Sequence, residues 1–234
     1  MTSVNRGVDA KAIATAGKPV LLIDTCSILD VMRDPTRETP RLHERQAGLD
    51  LLAAAEGGTL IGAVAQQVAL EFAEHDQSVQ DEANRALKNL RGQIGRVNLL
   101  SAILGAPGQL DLTHLDDHVA RTRKIVGRWL TQLLLFKPDA NVLERAIARM
   151  NGNIAPARRG KDSSKDCIVF ETYLKCADML RTEGLTAPIV FLSSNTREYL
   201  NDSNVLKTEI ANDFAPLKVD YASNMALAKY QLGF

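Results

Sequence analysis

Lys18-Pro-Val-Leu-Leu-Ile-Asp-Thr-Cys-Ser-Ile-Leu-Asp30 is the stretch that decides the fold. Four apolar residues, Val20 to Ile23, run without a break into Asp24, and Thr25 and Ser27 follow. A short unbroken apolar run marks a strand buried on both faces, the usual state inside a parallel sheet. An acid at its C-terminal end stands where open α/β sheets hold their ligands, in the crevice beyond the strand ends. Asp24 is therefore the first candidate for chemistry. Its other reading is a cap for the following helix, a role Asp fills well.

On the C-terminal side of this stretch, Ser27 to Met32 starts a helix, and Asp34-Pro-Thr-Arg-Glu-Thr-Pro40 interrupts it as a loop. His43 to Glu56 resumes a helical pattern with Leu42, Leu49, Leu52 and Ala53 on one face, stopping at Gly57-Gly58. Thr59 to Val64 reads as a second buried strand, and Ala65 to His75 as a helix with Val68 and Phe72 one turn apart. Further on, Ser163-Ser-Lys-Asp166 has the spacing of a capping box and opens a helix through Ile168, Val169, Tyr173 and Leu174. Ile189 to Ser193 is a third buried strand, Leu217 to Tyr221 an edge strand, and the last dozen residues a helix.

The middle of the chain is different. Val79, Ala83, Leu87, Leu90, Ile94 and Val97 recur at spacings of three and four, the signature of a long amphipathic helix. Leu115 to Phe136 and Asp139 to Met150 read as two more helices, and core packing accounts for their apolar stripes, Trp129 included. The expected architecture is a three-layer α/β/α sandwich around a central, mainly parallel sheet. One domain spans 18–234, with a helical block inserted at about 76–150 and a flexible N-terminal segment, 1–17.

The 28 basic residues balance the 28 acidic ones, so any polyanionic partner must be held by a local patch. Residues 1–17 lack an apolar core of signal-peptide length, and no segment is long enough to span a membrane. The three cysteines, Cys26, Cys167 and Cys176, lack metal-ligand spacing, which fits reduced thiols in a cytoplasmic protein. His114 and His118 are four apart, but no further ligand pattern supports zinc. An Asp at a strand end also suits haloacid-dehalogenase phosphatases, but their second Asp is replaced here by Cys26.

Several acids fall at one end of the expected sheet. Asp24 ends the first strand, Glu71 lies in the second turn of the helix after the second strand, and Asp166 opens the helix before the third, just after Asp162. Carboxylates gathered in this way raise one another's pKa unless a cation neutralises them. Hard divalent ions such as Mg2+ or Mn2+ suit such oxygen donors, and they can activate water for attack on a phosphate. Arg158, Arg159, Lys161 and Lys165 surround Asp162 and Asp166, a pattern fit either to receive phosphates or to offset the acids. Thr25, Ser27, Ser193 and Ser194 are candidates to hold a water or a phosphate oxygen, or to act as caps.

With these residues in hand, the chain resembles the PIN-domain family, metal-dependent ribonucleases named after the PilT N-terminus. The family's opening strand ending in Asp and Thr or Ser is matched by Leu-Leu-Ile-Asp24-Thr25-Cys26-Ser27, its Glu by Val68-Ala-Leu-Glu71, and its third acid by Asp166-Cys-Ile-Val-Phe170. Where the family usually has a fourth Asp after a strand, Phe191-Leu-Ser-Ser-Asn195 ends in an amide. Asp162 and Glu198 are the acids placed to compensate, and a one-ion centre is expected over a two-ion one. The resemblance implies an endoribonuclease using Mg2+ or Mn2+, with Asp24 and Asp166 as principal ligands and Glu71 as a ligand or water-positioning acid. Asp162, Asn195, Thr25, Ser27 and Ser194 would support them. It also implies single-stranded or structured RNA as substrate, with a homodimer and an antitoxin-like inhibitor as partners. The alternative is a catalytically weak PIN-like module that binds RNA or a protein.

Overall fold

The computed structural model describes residues 9–37, 42–106 and 108–234. Its centre is a five-stranded sheet in the order β3-β2-β1-β4-β5, with every neighbouring pair parallel. The opening run forms β1 (Val20–Ile23), fully buried and in the middle of the sheet. It lies between β2 (Ile61–Ala65) and β4 (Ile189–Leu192), with Leu22 opposite Ala63 on one side and Phe191 on the other. Because strands on both sides cover its edges and helices cover its faces, every residue of β1 is apolar.

Helices flank this sheet as α/β/α layers. Over one part of it, α3 (Leu42–Glu56) packs against the C-terminal α10 (Met225–Leu232), which also touches β1, β4 and β5 (Val219–Ala222). Elsewhere, α7 (Ser164–Thr182) lies on β2 and meets α1 (Ala10–Ala16), α4 (Gln66–Ile103) and α6 (Ala140–Asn151). The remaining elements are α2 (Thr25–Leu29), a 3-10 turn at Thr113–Leu115, α5 (His118–Gln132), α8 (Thr196–Tyr199) and α9 (Thr208–Phe214). Among the described residues no helix is long and apolar enough to cross a membrane.

Four expectations need correction. The segment expected to be flexible holds a helix over its described part: Asp9 caps α1 through Ala12 N–H, Gly17 closes it at φ 61°, and Ile13 is buried. The remainder of that segment, 1–8, lies outside the described residues. The two helices expected on either side of residue 76 are one, α4, because Asp76-Gln-Ser78 contains no breaker. Leu133–Phe136, expected as the end of a helix, is the edge strand β3, pairing with β2 from Gly62–Leu133 to Ala65–Phe136. An unbroken apolar run of four has no period that separates the two states. The block at 76–150 therefore supplies a strand to the sheet as well as helices around it. Finally, Ser163 makes no side-chain cap; its hydroxyl accepts the Arg158 N–H at 3.1 Å and pins the preceding loop.

Two buried polar groups hold these layers in register. The Tyr173 hydroxyl, on α7, donates to the Ile23 carbonyl at 2.5 Å and accepts the Ala65 N–H at 3.1 Å. It thus ties together the C-terminal ends of β1 and β2, where Asp24 and the start of α4 begin. Tyr173→Phe leaves both backbone groups unpaired, at a cost of about 1–3 kcal/mol. A lower urea midpoint at unchanged slope is the expected result. Arg149, on α6, donates to Glu171 (2.7 Å), Asp213 (2.7 Å) and the Ala155 carbonyl (2.6 Å), and its guanidinium lies 4.7 Å from the Phe170 ring centre. It joins α6, α7 and α9 through one side chain.

Candidate active site

The chain leaves β1 and turns at once into α2, so Asp24 occupies the N-cap with extended backbone (φ −84°, ψ 157°). Its Oδ1 accepts the Thr25 N–H at 2.7 Å. Capping and chemistry are not alternatives here, because Oδ2 is held separately. It accepts the Ser193 hydroxyl at 2.6 Å and faces the Cys26 thiol at 3.1 Å. Asp24 is only 7 % exposed. Burial raises its pKa, against the pull of hydrogen bonds from Ser193, Cys26 and Thr25, and the charge of Asp166 raises it further. Burial, together with the charge of Asp24, pushes the Cys26 thiol up to about 12, away from the thiolate form a nucleophile needs.

Thr25 links the first acid to the second. Its hydroxyl donates to Glu71 Oε2 at 2.9 Å, and Gln67, one turn earlier on α4, donates to Oε1 at 3.3 Å. Glu71 is half-buried. Desolvation lifts its pKa, the two hydrogen bonds lower it, and the charge of Asp24 raises it. Asp166, in the first turn of α7, is likewise raised by burial; the Lys161 ammonium opposes this, while Glu198 and Glu71 add to it. Asp24 and Glu71 are thus joined through Thr25, while Asp166 is bonded to Lys161 and acts on the other two acids through its charge.

Glu198 completes the group. It lies in α8, three residues after Asn195, and is 2 % exposed. Its Oε1 accepts Lys161 Nζ at 2.7 Å, and the same Nζ is 3.3 Å from Asp166 Oδ2. Its Oε2 is buried with no hydrogen-bond partner. Of the two compensating acids the sequence offers, Glu198 is the one that faces Asp166. Asp162 is exposed; it accepts the Ser164 N–H at 3.0 Å, and that bond holds its pKa below the usual carboxylate range. The signal for Glu198 is its spacing, since residues three apart in a helical turn share a face.

The hydroxyls act as supports. Ser193, at the end of β4, donates to Asp24 and accepts the Asn195 N–H at 3.2 Å, while Tyr221 donates to its carbonyl at 2.7 Å. Ser27 Oγ accepts the Ser194 N–H at 3.0 Å, locking α2 to the turn after β4. Asn195 sits at the N-cap of α8 without a side-chain cap bond. Ser194, the serine expected to support the acids, instead gives its backbone N–H to Ser27, and Ser193 is the one that reaches Asp24, because the sheet register turns it toward β1.

The basic residues are arranged differently from a simple phosphate platform. Lys161 and Arg158 (3.6 Å) both face Glu198, and Lys165 pairs with Glu74 at 2.7 Å. Arg159 is exposed. Beside Ser27 and Ser194 opens a cavity of about 540 Å³, with Arg33, Arg37 and Arg45 among its lining and Trp129 and Met225 in its walls. No local sequence pattern pointed to it, since its walls come from four separate parts of the chain.

Carboxylate oxygens are the donor type that hard divalent ions take. The acids offer only oxygen ligands, and one buried carboxylate oxygen lacks a partner. The acids stand as two bridged pairs, Asp24 with Glu71 through Thr25 and Asp166 with Glu198 through Lys161. Among the described residues no three acids, histidines or cysteines stand close enough together to hold a metal ion between them.

No family model, curated protein or solved structure matches the chain.

Proposed function

We propose that this chain is a metal-dependent hydrolase of phosphodiester bonds. Within that class, the reading is a PIN-type endoribonuclease that cuts single-stranded or structured RNA in the cytoplasm with Mg2+ or Mn2+. The supporting observation is the group of four acids at the strand ends, three of them held above their ordinary pKa by burial and by one another. Such a group is costly by itself and becomes favourable once a divalent cation joins it.

Asp24, Asp166 and Glu71 would hold the ion, which supplies activation of water and neutralisation of charge on the phosphate under attack. The chain's own residues set the geometry. Ser193 and the Thr25 N–H fix the Asp24 carboxylate, so one rotamer faces the acid group. Glu71, half-buried on α4, would hold the ion or position the attacking water. The cavity beside Ser27 and Ser194 receives the nucleotide flanking the scissile bond, with arginines at its lining for phosphate.

One observation favours a second reading, a catalytically weak module that binds RNA or a protein. Lys161, Arg158 and Lys165 are already engaged by acids. Labelled single-stranded and hairpin RNA, incubated with Mn2+, Mg2+ or EDTA, separates the two. Cleavage with either metal and none with EDTA is the expected result. Equal cleavage by wild type and Asp24→Asn would make the activity a contaminant and overturn the nuclease reading. RNA retained but uncut by a metal-loaded protein would establish the second.

A further inference from the structure

The Asp166–Glu198 pair is closed by a cation that belongs to the chain. Lys161 Nζ lies 2.7 Å from Glu198 Oε1 and 3.3 Å from Asp166 Oδ2, with an Arg158 guanidinium nitrogen 3.6 Å from the same Glu198 oxygen. The ammonium reaches in from the loop between α6 and α7. That loop turns at Gly160 with φ +78°, and Ser163 anchors it through the Arg158 N–H. The Lys161 side chain remains 47 % exposed while the Glu198 side chain is 2 % exposed, so the charge is delivered from the surface to a buried carboxylate. A buried carboxylate facing a second acid needs a counter-ion. Here the Lys161 charge serves both acids, with Arg158 farther off against Glu198, and Glu198 Oε2 has no hydrogen-bond partner.

We infer that Lys161 is a tethered counter-ion standing in the place of a second divalent cation, so that the centre takes one metal ion at the Asp24–Glu71–Asp166 side. This rests on the metal-dependent reading above and extends it to stoichiometry. An ammonium held on its own backbone pays no cost of recruitment from solution, so it occupies Glu198 at every metal concentration. A divalent ion can take that position only by displacing a lysine that remains attached nearby. Lys161 and Arg158 are thus assigned to the acids and not to the phosphate backbone of the substrate.

Counting Mn2+ on the full chain by calorimetry and by manganese paramagnetic resonance tests this without reference to activity. Wild type and Lys161→Arg are expected to bind one ion, Lys161→Met two, and Lys161→Met with Glu198→Gln one again. Two ions on the wild type, or one on a folded Lys161→Met, would overturn the inference. No ion on the wild type would overturn the metal-dependent reading itself. Should Lys161→Met fail to fold, Lys161→Gln, which keeps the stem and loses the charge, is counted in its place and judged by the same criterion.

Discussion

Asp24→Asn is expected to lower metal-dependent RNA cleavage at least about a hundredfold, the scale on which a preorganised electrostatic group acts in a transition state. The substitution keeps the shape of the side chain and an oxygen that can accept the Thr25 N–H. It removes the charge an ion would bind. The fold should hold, because the substitution keeps the capping oxygen and removes a carboxylate that burial disfavours in its charged form. Thermal unfolding in EDTA is expected to place the variant within about 1 kcal/mol of wild type, the net worth of one hydrogen bond. An activity that falls only in proportion to the lost folded fraction would mean that Asp24 serves the fold and not the chemistry.

The same carboxylates fix a pH dependence. Asp24, Glu71 and Asp166 have folded-state pKa values above the ordinary 3.8, 4.5 and 3.8. The folded state therefore binds protons more tightly than the unfolded chain. The stability this confers is complete below those ordinary values and is lost as pH rises through the raised ones. A divalent ion needs the ionised form, so it acts in the opposite direction. The rise in melting temperature on adding Mn2+ should therefore grow with pH above the ordinary carboxylate range and be small below it. Melting curves with Mn2+ and with EDTA across that range check the sign.

Arg149→Met is expected to cost about 3–5 kcal/mol, the penalty for stranding one side of a buried ion pair. The guanidinium is 8 % exposed and serves two acids and a carbonyl, and Glu171 stays buried without it. Arg145 still faces Glu171 at 2.8 Å, but from a half-exposed position where an ion pair counts for little. Set against the 5–15 kcal/mol typical of a whole domain, the loss is large. Denaturant unfolding measures it, and a double variant with Glu171→Gln should recover part of the loss because the stranded charge is gone. Activity should fall only with the folded fraction, since Arg149 bonds Glu171, Asp213 and the Ala155 carbonyl and none of the four acids.

The sheet and most of the acids were legible for a common reason. A strand buried on both faces must be apolar throughout, so β1, β2 and β4 announce themselves, and the polar residue that ends each run marks the crevice. Asp24 follows from that geometry, whereas Glu71 and Asp166, both on helices, were singled out by their order along the chain and the family resemblance. What escaped depends on contacts distant in sequence. Leu133–Phe136 became a strand because β2 offered it an edge, which nothing local encodes. Ser193 rather than Ser194 reaches Asp24 because β4 lies in a particular register against β1. Lys161 could be read as a phosphate ligand until Glu198, 37 positions away, was seen beneath it. The stretch 76–78 misled in the other direction, since a polar interval without Gly or Pro leaves a helix free to continue through it.

The central position of β1 has a consequence for the order in which the protein comes into being. Its partner β4 and the serine that holds Asp24 arrive 169 residues later, and Glu198 later still. A nascent chain that already contains Asp24, Glu71 and Asp166 has no strand to close β1 and no lid of aromatic side chains from Phe191 and Tyr199 over α7. A product ending between Asp166 and Ile189, by premature termination or by a protease, would thus carry three of the four acids without β4 or the serine that holds Asp24. The acid group has no half-built form.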